Sequence, residues 1–161
     1  MKAITIWQPW ASLAAIKEKG YETRSWATRY RGPIAIHAAK RPFDPMDFAV
    51  FDPRLAGAIV GAFDKVGMSV HLLPFGCIIA TAELVDCYRI QVCPKSHRVS
   101  LYDSCGNQTS VSISSKEILF GDWTSGRFAW DFRNVVMLPE PVPAKGGQRL
   151  WNWDGHLAGE Y

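Results

Sequence analysis

The sequence predicts a small domain of the α+β or β-barrel class. Three observations point there. Helical periodicity is confined to short stretches, apolar runs of strand length recur between turn signals, and nothing alternates regularly as strand–helix–strand. Residues 3–7 (AITIW) read as a short strand. Pro9 and Trp10 then open a helix, because proline suits a first helical turn and Trp10, Leu13, Ala14 and Ile16 recur at helical spacing. Gly20 stands where a C-terminal cap is expected. Tyr21–Trp26 is a short extended segment, Gly32-Pro33 a turn and Ile34–His37 a strand. Pro42, Pro45 and Pro53 mark irregular structure, with a short helix around Met46–Val50. Arg54–Asp64 carries Leu55, Ile59, Val60 and Phe63 as a second amphipathic helix. Gly76–Tyr88 (GCIIATAELVDCY) is the strongest strand signal. Residues 89–122 are polar and rich in turns, and read as an elaborated loop or hairpin. Arg127–Leu138 is a strand with Phe128, Trp130 and Phe132 in alternation, and the prolines that follow argue against a helix in the tail.

The chain of 161 residues is the size of one ordinary domain, expected to span residues 1–161. With 48% hydrophobic and 20% charged residues it is neither disordered nor collagen-like. No stretch approaches the roughly 18 uninterrupted apolar residues of a membrane span. The opening MKAITIWQPWASL lacks the layout of a secretory signal. No nucleotide-binding glycine motif, nucleophile elbow or zinc-protease motif is present. Cys87, Cys93, His97 and Cys105 fit no usual zinc spacing, so neither a metal nor a cofactor is expected, and the thiols read as reduced in a cytoplasmic protein.

Two distributions are uneven. Residues 1–41 hold eight basic and two acidic residues, a net of +6, whereas residues 42–161 carry a net of −3. The seven tryptophans fall at Trp7, Trp10 and Trp26 and again at Trp123, Trp130, Trp151 and Trp153, with none between. A basic quarter rich in Trp and Arg suits a polyanion with stackable bases, although basic residues also simply solvate surfaces.

Within Lys17–Trp26 (KEKGYETRSW), Lys19, Glu22 and Arg24 fall within six residues. Glu22 and Arg24 are two apart on an extended segment and so share a face. Cations flanking a carboxylate can bind an anion, or tune Glu22 as a general base while Lys19 stabilises developing negative charge. They can equally close a helix as a salt-bridge network. In Trp7-Gln8-Pro9-Trp10, Gln8 is placed either to read a base edge or to cap the helix, with Trp7 expected in the core and Trp10 open to either role. The tail Lys145–Trp153 (KGGQRLWNW) repeats the same chemistry in Lys145, Gln148, Arg149 and Trp151, with Gly146-Gly147 allowing close backbone approach; it also reads as a segment stapled down by its two Trp. At least four of the seven Trp are expected in the core, with Trp10, Trp26 and Trp151 the candidates for a cleft. His37 ends a strand and reads more simply as a hydrogen-bonded structural histidine than as an acid or base.

At these residues the sequence resembles the ASCH domain family of the PUA-like superfamily. The family signature is approximately G-x-K-x-x-E-x-R after the first helix. Lys19, Glu22 and Arg24 match it, and Lys17 stands in place of its first glycine. WQPWASL, YRGPIAIHAAK, FGDW..GRFAW and the PxPAKGGQ.LW tail are similar to bacterial and phage-borne members. The resemblance implies a small PUA-like β-barrel of about five to six strands with flanking helices, a cleft on one side, and RNA or a modified nucleotide as ligand. Some members it resembles are small hydrolases, either ribonucleases or N4-acetylcytidine amidohydrolases. The amidohydrolase branch pairs a Lys, matched by Lys19, with a Thr at the position of Glu22 and a Glu from a distant segment, a place that Glu83 does not clearly fill. Glu22 has no hydroxyl to act as that nucleophile, and Thr23 belongs to the opposite face of an extended segment.

Three functions follow as expectations. The first is an RNA- or nucleotide-binding domain, with Gln8, Trp10, Lys19, Glu22, Arg24, Trp26, Lys145, Gln148 and Trp151 around one basic, Trp-lined cleft. The second is a hydrolase with Lys19 and Glu22 at the reacting centre. The third is a protein-interaction module built on residues 89–122.

Overall fold

A computed structural model describes residues 1–44, 46 and 52–155. The expected helix around Met46–Val50 lies, apart from Met46, outside the described residues. Strand β1 (Lys2–Ile6) leads into helix α1 (Trp10–Ala15), followed by β2 (Tyr21–Arg24) and β3 (Gly32–Ala38). Helix α2 (Pro53–Asp64) and a 3-10 turn (Val70–Leu72) precede the long strand β4 (Cys77–Val92). Then come β5 (Val99–Tyr102), the short helix α3 (Ser115–Leu119), the long strand β6 (Phe128–Pro143) and β7 (Leu150–Asn152).

The strands form one seven-stranded sheet in the order β2-β6-β4-β3-β1-β7, with β5 pairing the outer end of β4. β1 runs parallel to β3, and the other pairings are antiparallel. The β4–β6 ladder shifts register at three points, between Ile78 and Ala80, Thr81 and Glu83, and Leu84 and Asp86. Irregularities of this kind bend strands and increase their twist. The sheet therefore curls, but it does not close into the barrel of five or six strands expected from the sequence. Among the described residues β2 pairs only with β6 and β7 only with β1. β7 covers the edge of β1 only over Lys2–Ile4. Thr5 and Ile6 therefore lie beyond its reach, beside a seam facing β2.

Helix α1 plugs the concave side. Its small residues Ala11, Ala14 and Ala15 sit against Ile4, Ile6, Ile34, Ile36, Leu84, Trp130 and Phe132 of the sheet. Its Leu13 packs with Ile59, Ala62 and Phe63 of α2 and with Phe120. α1 ends earlier than Gly20. Lys17 takes φ 66, with its N–H on Ala14 O and that of Glu18 on Leu13 O. This is the hydrogen-bonding pattern of a Schellman cap, whose left-handed position glycine normally fills. Lys17 is thus held in a glycine conformation at the place where the resembled signature has its first glycine. α2 begins at Pro53, one residue ahead of the expected start, because the Asp52 side chain accepts from the N–H groups of Arg54 and Leu55. The strand expected over Gly76–Tyr88 runs on to Val92 to make a hairpin with β5.

Three tryptophans, not four or more, are buried: Trp123, Trp130 and Trp153. Trp7, expected in the core, is 56% exposed. The reason is strand parity. Ile4 and Ile6 point inward, so Thr5 and Trp7 point outward.

Candidate functional site

The seam between β1 and β2 is a cleft of about 540 Å³. α1 and the turn after it deliver Lys19 to its floor, β2 supplies Glu22 and Arg24, and the loop after α3 together with the start of β6 supplies Asp122 and Arg127. Lys19 is only 2% exposed and Glu22 only 8%. Lys19 Nζ donates to Glu22 Oε2 at 2.8 Å and to the carbonyl of Tyr21. Arg24 Nε lies 3.0 Å from Glu22 Oε1 as an ion pair without hydrogen-bond geometry. Its Nη2 instead spans the seam to the carbonyl of Thr5 at 2.7 Å. Burial pushes the Glu22 carboxyl up, but Lys19, Arg24 and the more distant Arg127 outweigh it and hold the group below the usual carboxylate range. The Glu22 carboxylate is a fixed feature of the floor.

Indoles form the walls. Trp7, Trp10 and Trp26 all line the cleft. Trp10 leans on Phe120, with ring centroids 6.2 Å apart, and Trp26 meets Trp130 edge-to-face at 4.6 Å. Two arginines sit on the outer indoles. The Arg41 guanidinium lies 4.0 Å from the Trp7 ring centroid, and that of Arg149 lies 5.6 Å from the Trp26 ring centroid. Each is a cation–π stack at the rim.

Behind the floor stands Glu117, which sequence reasoning missed. It accepts from the N–H of Gly20 through Oε1, and Oε2 is buried without a partner. Burial pushes its carboxyl up, against the opposing pull of the Gly20 N–H and Lys19. The Gly20 bond ties α3 to the turn that carries Lys19, and Trp123 Nε1 donates to Glu117 O at 2.7 Å. No local signal in the polar 89–122 segment marked it. Arg127 was also missed as a site residue, although it lies in the GRFAW stretch.

The other expected site residues fall elsewhere. Gln8 is 5% exposed and its amide is spent: Oε1 accepts from the N–H of Ser12, and Nε2 donates to Ser12 Oγ and Pro74 O, both at 2.8 Å. It ties the first turn of α1 and does not line the cleft. Lys145 and Gln148 line a second cleft of about 780 Å³, together with Thr5, His37, Lys40, Phe75 and residues 143–147. Trp151 stands beside this tail, edge-to-face with His37 at 5.6 Å and donating from Nε1 to Thr5 Oγ1 at 3.1 Å. Lys19, Glu22, Arg24, Trp10 and Trp26 thus come together, whereas Lys145, Gln148 and Trp151 lie on the far side of Thr5.

The first cleft offers aromatic faces, cations, the buried Glu22 carboxylate and the Asp122 carboxylate, which pairs with Arg127 at 3.2 Å, a set suited to stacking on a flat ring and reading its polar edge. Thr23 also lines the cleft, and its hydroxyl accepts from the N–H of Asp122 at 3.0 Å. Among the described residues no group of three or more His, Cys, Asp or Glu side chains is placed to hold a metal ion, and no helix is long and apolar enough to cross a membrane. Comparison with protein-family models matches residues 4–123 to the ASCH domain. The match takes in the whole Lys19–Arg24 segment and stops short of Arg127 and of residues 143–148 of the tail. No curated protein matches the chain.

Proposed function

The chain belongs to the ASCH domain family, a PUA-like family of RNA-binding domains, and from that membership we propose that it binds single-stranded RNA, or a nucleotide within it, in the Trp-lined seam. A base stacks against Trp7 or Trp26 while Glu22 and Arg24 meet its polar edge and Arg127 approaches the backbone. The observation that carries this reading is the position of Trp7. An indole 56% exposed beside a buried ion pair, with a guanidinium on its face, is a stacking platform rather than a core residue. A cytoplasmic location goes with this ligand and with four unpaired cysteines.

Binding is favoured over hydrolysis by the state of the acid. A general base works best with a pKa near the working pH, whereas Glu22 is held below the ordinary range and both its oxygens face cations.

Fluorescence titration with a uridylate octamer tests the proposal. The variant is Trp7→Ala, because its side chain supports little of the core. Removing one stacked base contact costs about 1–3 kcal/mol, a loss between about fivefold and about 150-fold. An octamer that does not bind, or binds Trp7→Ala as tightly as the parent, overturns the reading. Shortening of an end-labelled octamer that stops in Glu22→Gln would move the assignment to a nuclease.

A further inference from the structure

The tail cleft is built for an anion. Of its lining residues only Lys40 and Lys145 are charged, and no carboxylate opposes them. Both are exposed, and neither forms an ion pair among the described residues. The backbone N–H groups of Lys145, Gly146, Gly147 and Gln148 donate to no described residue. Such free N–H groups are available to an anion held by the two lysines.

The glycines are dictated by packing. A Cβ on Gly146 would lie 2.5 Å from His37 Cε1, and one on Gly147 would lie 2.8 Å from Trp151 Cγ. The loop is therefore pressed onto its floor and cannot be built from other residues without moving. His37, 1% exposed, forms that floor. Its Nε2–H donates to Ala144 O at 3.0 Å, the tautomer required by a carbonyl partner, which leaves Nδ1 buried as an acceptor with no partner. Burial pulls the imidazole below its ordinary pKa, so the positive charge of the cleft is that of its lysines.

The two clefts meet at one residue. The carbonyl of Thr5 takes the Arg24 guanidinium in the first, and its hydroxyl donates to Gly147 O at 3.0 Å in the second. The segment that lines the second cleft runs straight on to Arg149, which lies over Trp26 of the first. We propose that the tail cleft is a backbone subsite: the strand whose base occupies the Trp cleft crosses Thr5 and places a neighbouring phosphate between Lys40, Lys145 and the Gly146-Gly147 backbone. This rests on the RNA reading for its ligand, but on none of the same side chains. Phe75, 39% exposed at the rim, offers a face for the next base.

The test compares the parent chain with Lys40→Glu/Lys145→Glu, Trp7→Ala and, as a charge control on the distant hairpin, Lys95→Glu. Each is titrated with the uridylate octamer from 50 to 200 mM salt and with uridine monophosphate. The Lys40→Glu/Lys145→Glu variant is expected to bind the octamer at least about tenfold more weakly and to lower the salt slope by about 0.7, the contribution of one neutralised phosphate on a single strand. It should hold the monophosphate as the parent does, and Lys95→Glu should match the parent throughout. If Trp7→Ala loses the octamer while the lysine variant keeps both its affinity and its slope, this subsite is wrong and the RNA reading stands. If the lysine variant loses it and Trp7→Ala does not, the subsite stands and the Trp cleft is wrong. A parent chain that binds no octamer overturns both. Circular dichroism confirms that the variants, all at exposed side chains, are folded.

Discussion

Replacing Lys19 by Met probes the ion pair at the centre of the first cleft. Lys19 and Glu22 are 2% and 8% exposed, and their 2.8 Å contact is supplemented by the Lys19 bond to Tyr21 O. Removing one partner of a buried pair costs about 3–5 kcal/mol, because the remaining charge keeps its desolvation penalty. Arg24 still faces Glu22 at 3.0 Å, which puts the expected loss near the lower end, about 3 kcal/mol. At a urea slope of about 2 kcal/mol/M the midpoint falls by about 1.5 M. Glu22 also sets a pH signature. In the parent its folded pKa is depressed, so its stabilisation is present above the unfolded value of about 4.3 and is lost as pH falls through the folded value. In Lys19→Met burial has less to oppose it, the carboxyl rises, and protonation relieves the variant first. The gap between the two proteins should be widest at pH 7 and narrow toward pH 4. Lys19→Met/Glu22→Leu should recover most of the loss, since an apolar replacement of the whole pair is often neutral. Urea melts followed by Trp fluorescence measure all three. A midpoint shift under about 0.5 M, or a gap constant from pH 7 to pH 4, would refute this account. The same cost makes Lys19→Ala a poor test of binding, since lost affinity could report lost folding.

Lys17→Gly should stabilise the chain by about 0.5–1 kcal/mol, because Lys17 is exposed at φ 66 in a cap position that glycine fills without steric cost; a lower urea midpoint would contradict the cap. Gly146→Ala should cost about 1–3 kcal/mol through overlap with His37, whereas Gly57→Ala, in α2 with open space at its Cβ, should gain about 0.5–1 kcal/mol; equal effects in thermal melts would show the tail is not pressed on its floor. His37 has a folded pKa below its unfolded value of about 6.5, so the unfolded chain binds the proton more readily and stability drops as pH falls through 6.5 toward the folded value. Lys40 and Lys145, which line the same cleft, add no counter-charge. His37→Gln, which can still donate to Ala144 O, should flatten the loss of Tm between pH 7 and pH 5.5, and an unchanged slope would place the titration elsewhere.

The ion cluster was legible because it is local. Lys19, Glu22 and Arg24 lie within six residues, and the parity of an extended segment puts the last two on one face. Parity could also have placed Trp7, since it follows Thr5 outward from a strand whose Ile4 and Ile6 point in. Gln8 misled because a side-chain amide that ties a helix turn and one that reads a base are the same residue in sequence. Glu117 carried no signal, since a lone glutamate on a five-residue helix acquires its role only from Gly20, 97 positions away.

The sequence by itself determined a β-rich α+β chain with a cationic, carboxylate-bearing turn after its first helix, because helix caps, strand parity and charge spacing act over a few residues. Only the tertiary structure decided that the sheet stays open and that the expected site residues divide between two clefts. Closure depends on which edges find partners. Among the described residues β7 covers β1 over Lys2–Ile4 and stops, β2 pairs only with β6, and the seam left at Thr5 is spanned by the Arg24 side chain instead of a strand. Lys145 and Lys19 lie 126 positions apart in the chain. Their separation in space was set by that seam, to which no local pattern of residues is sensitive.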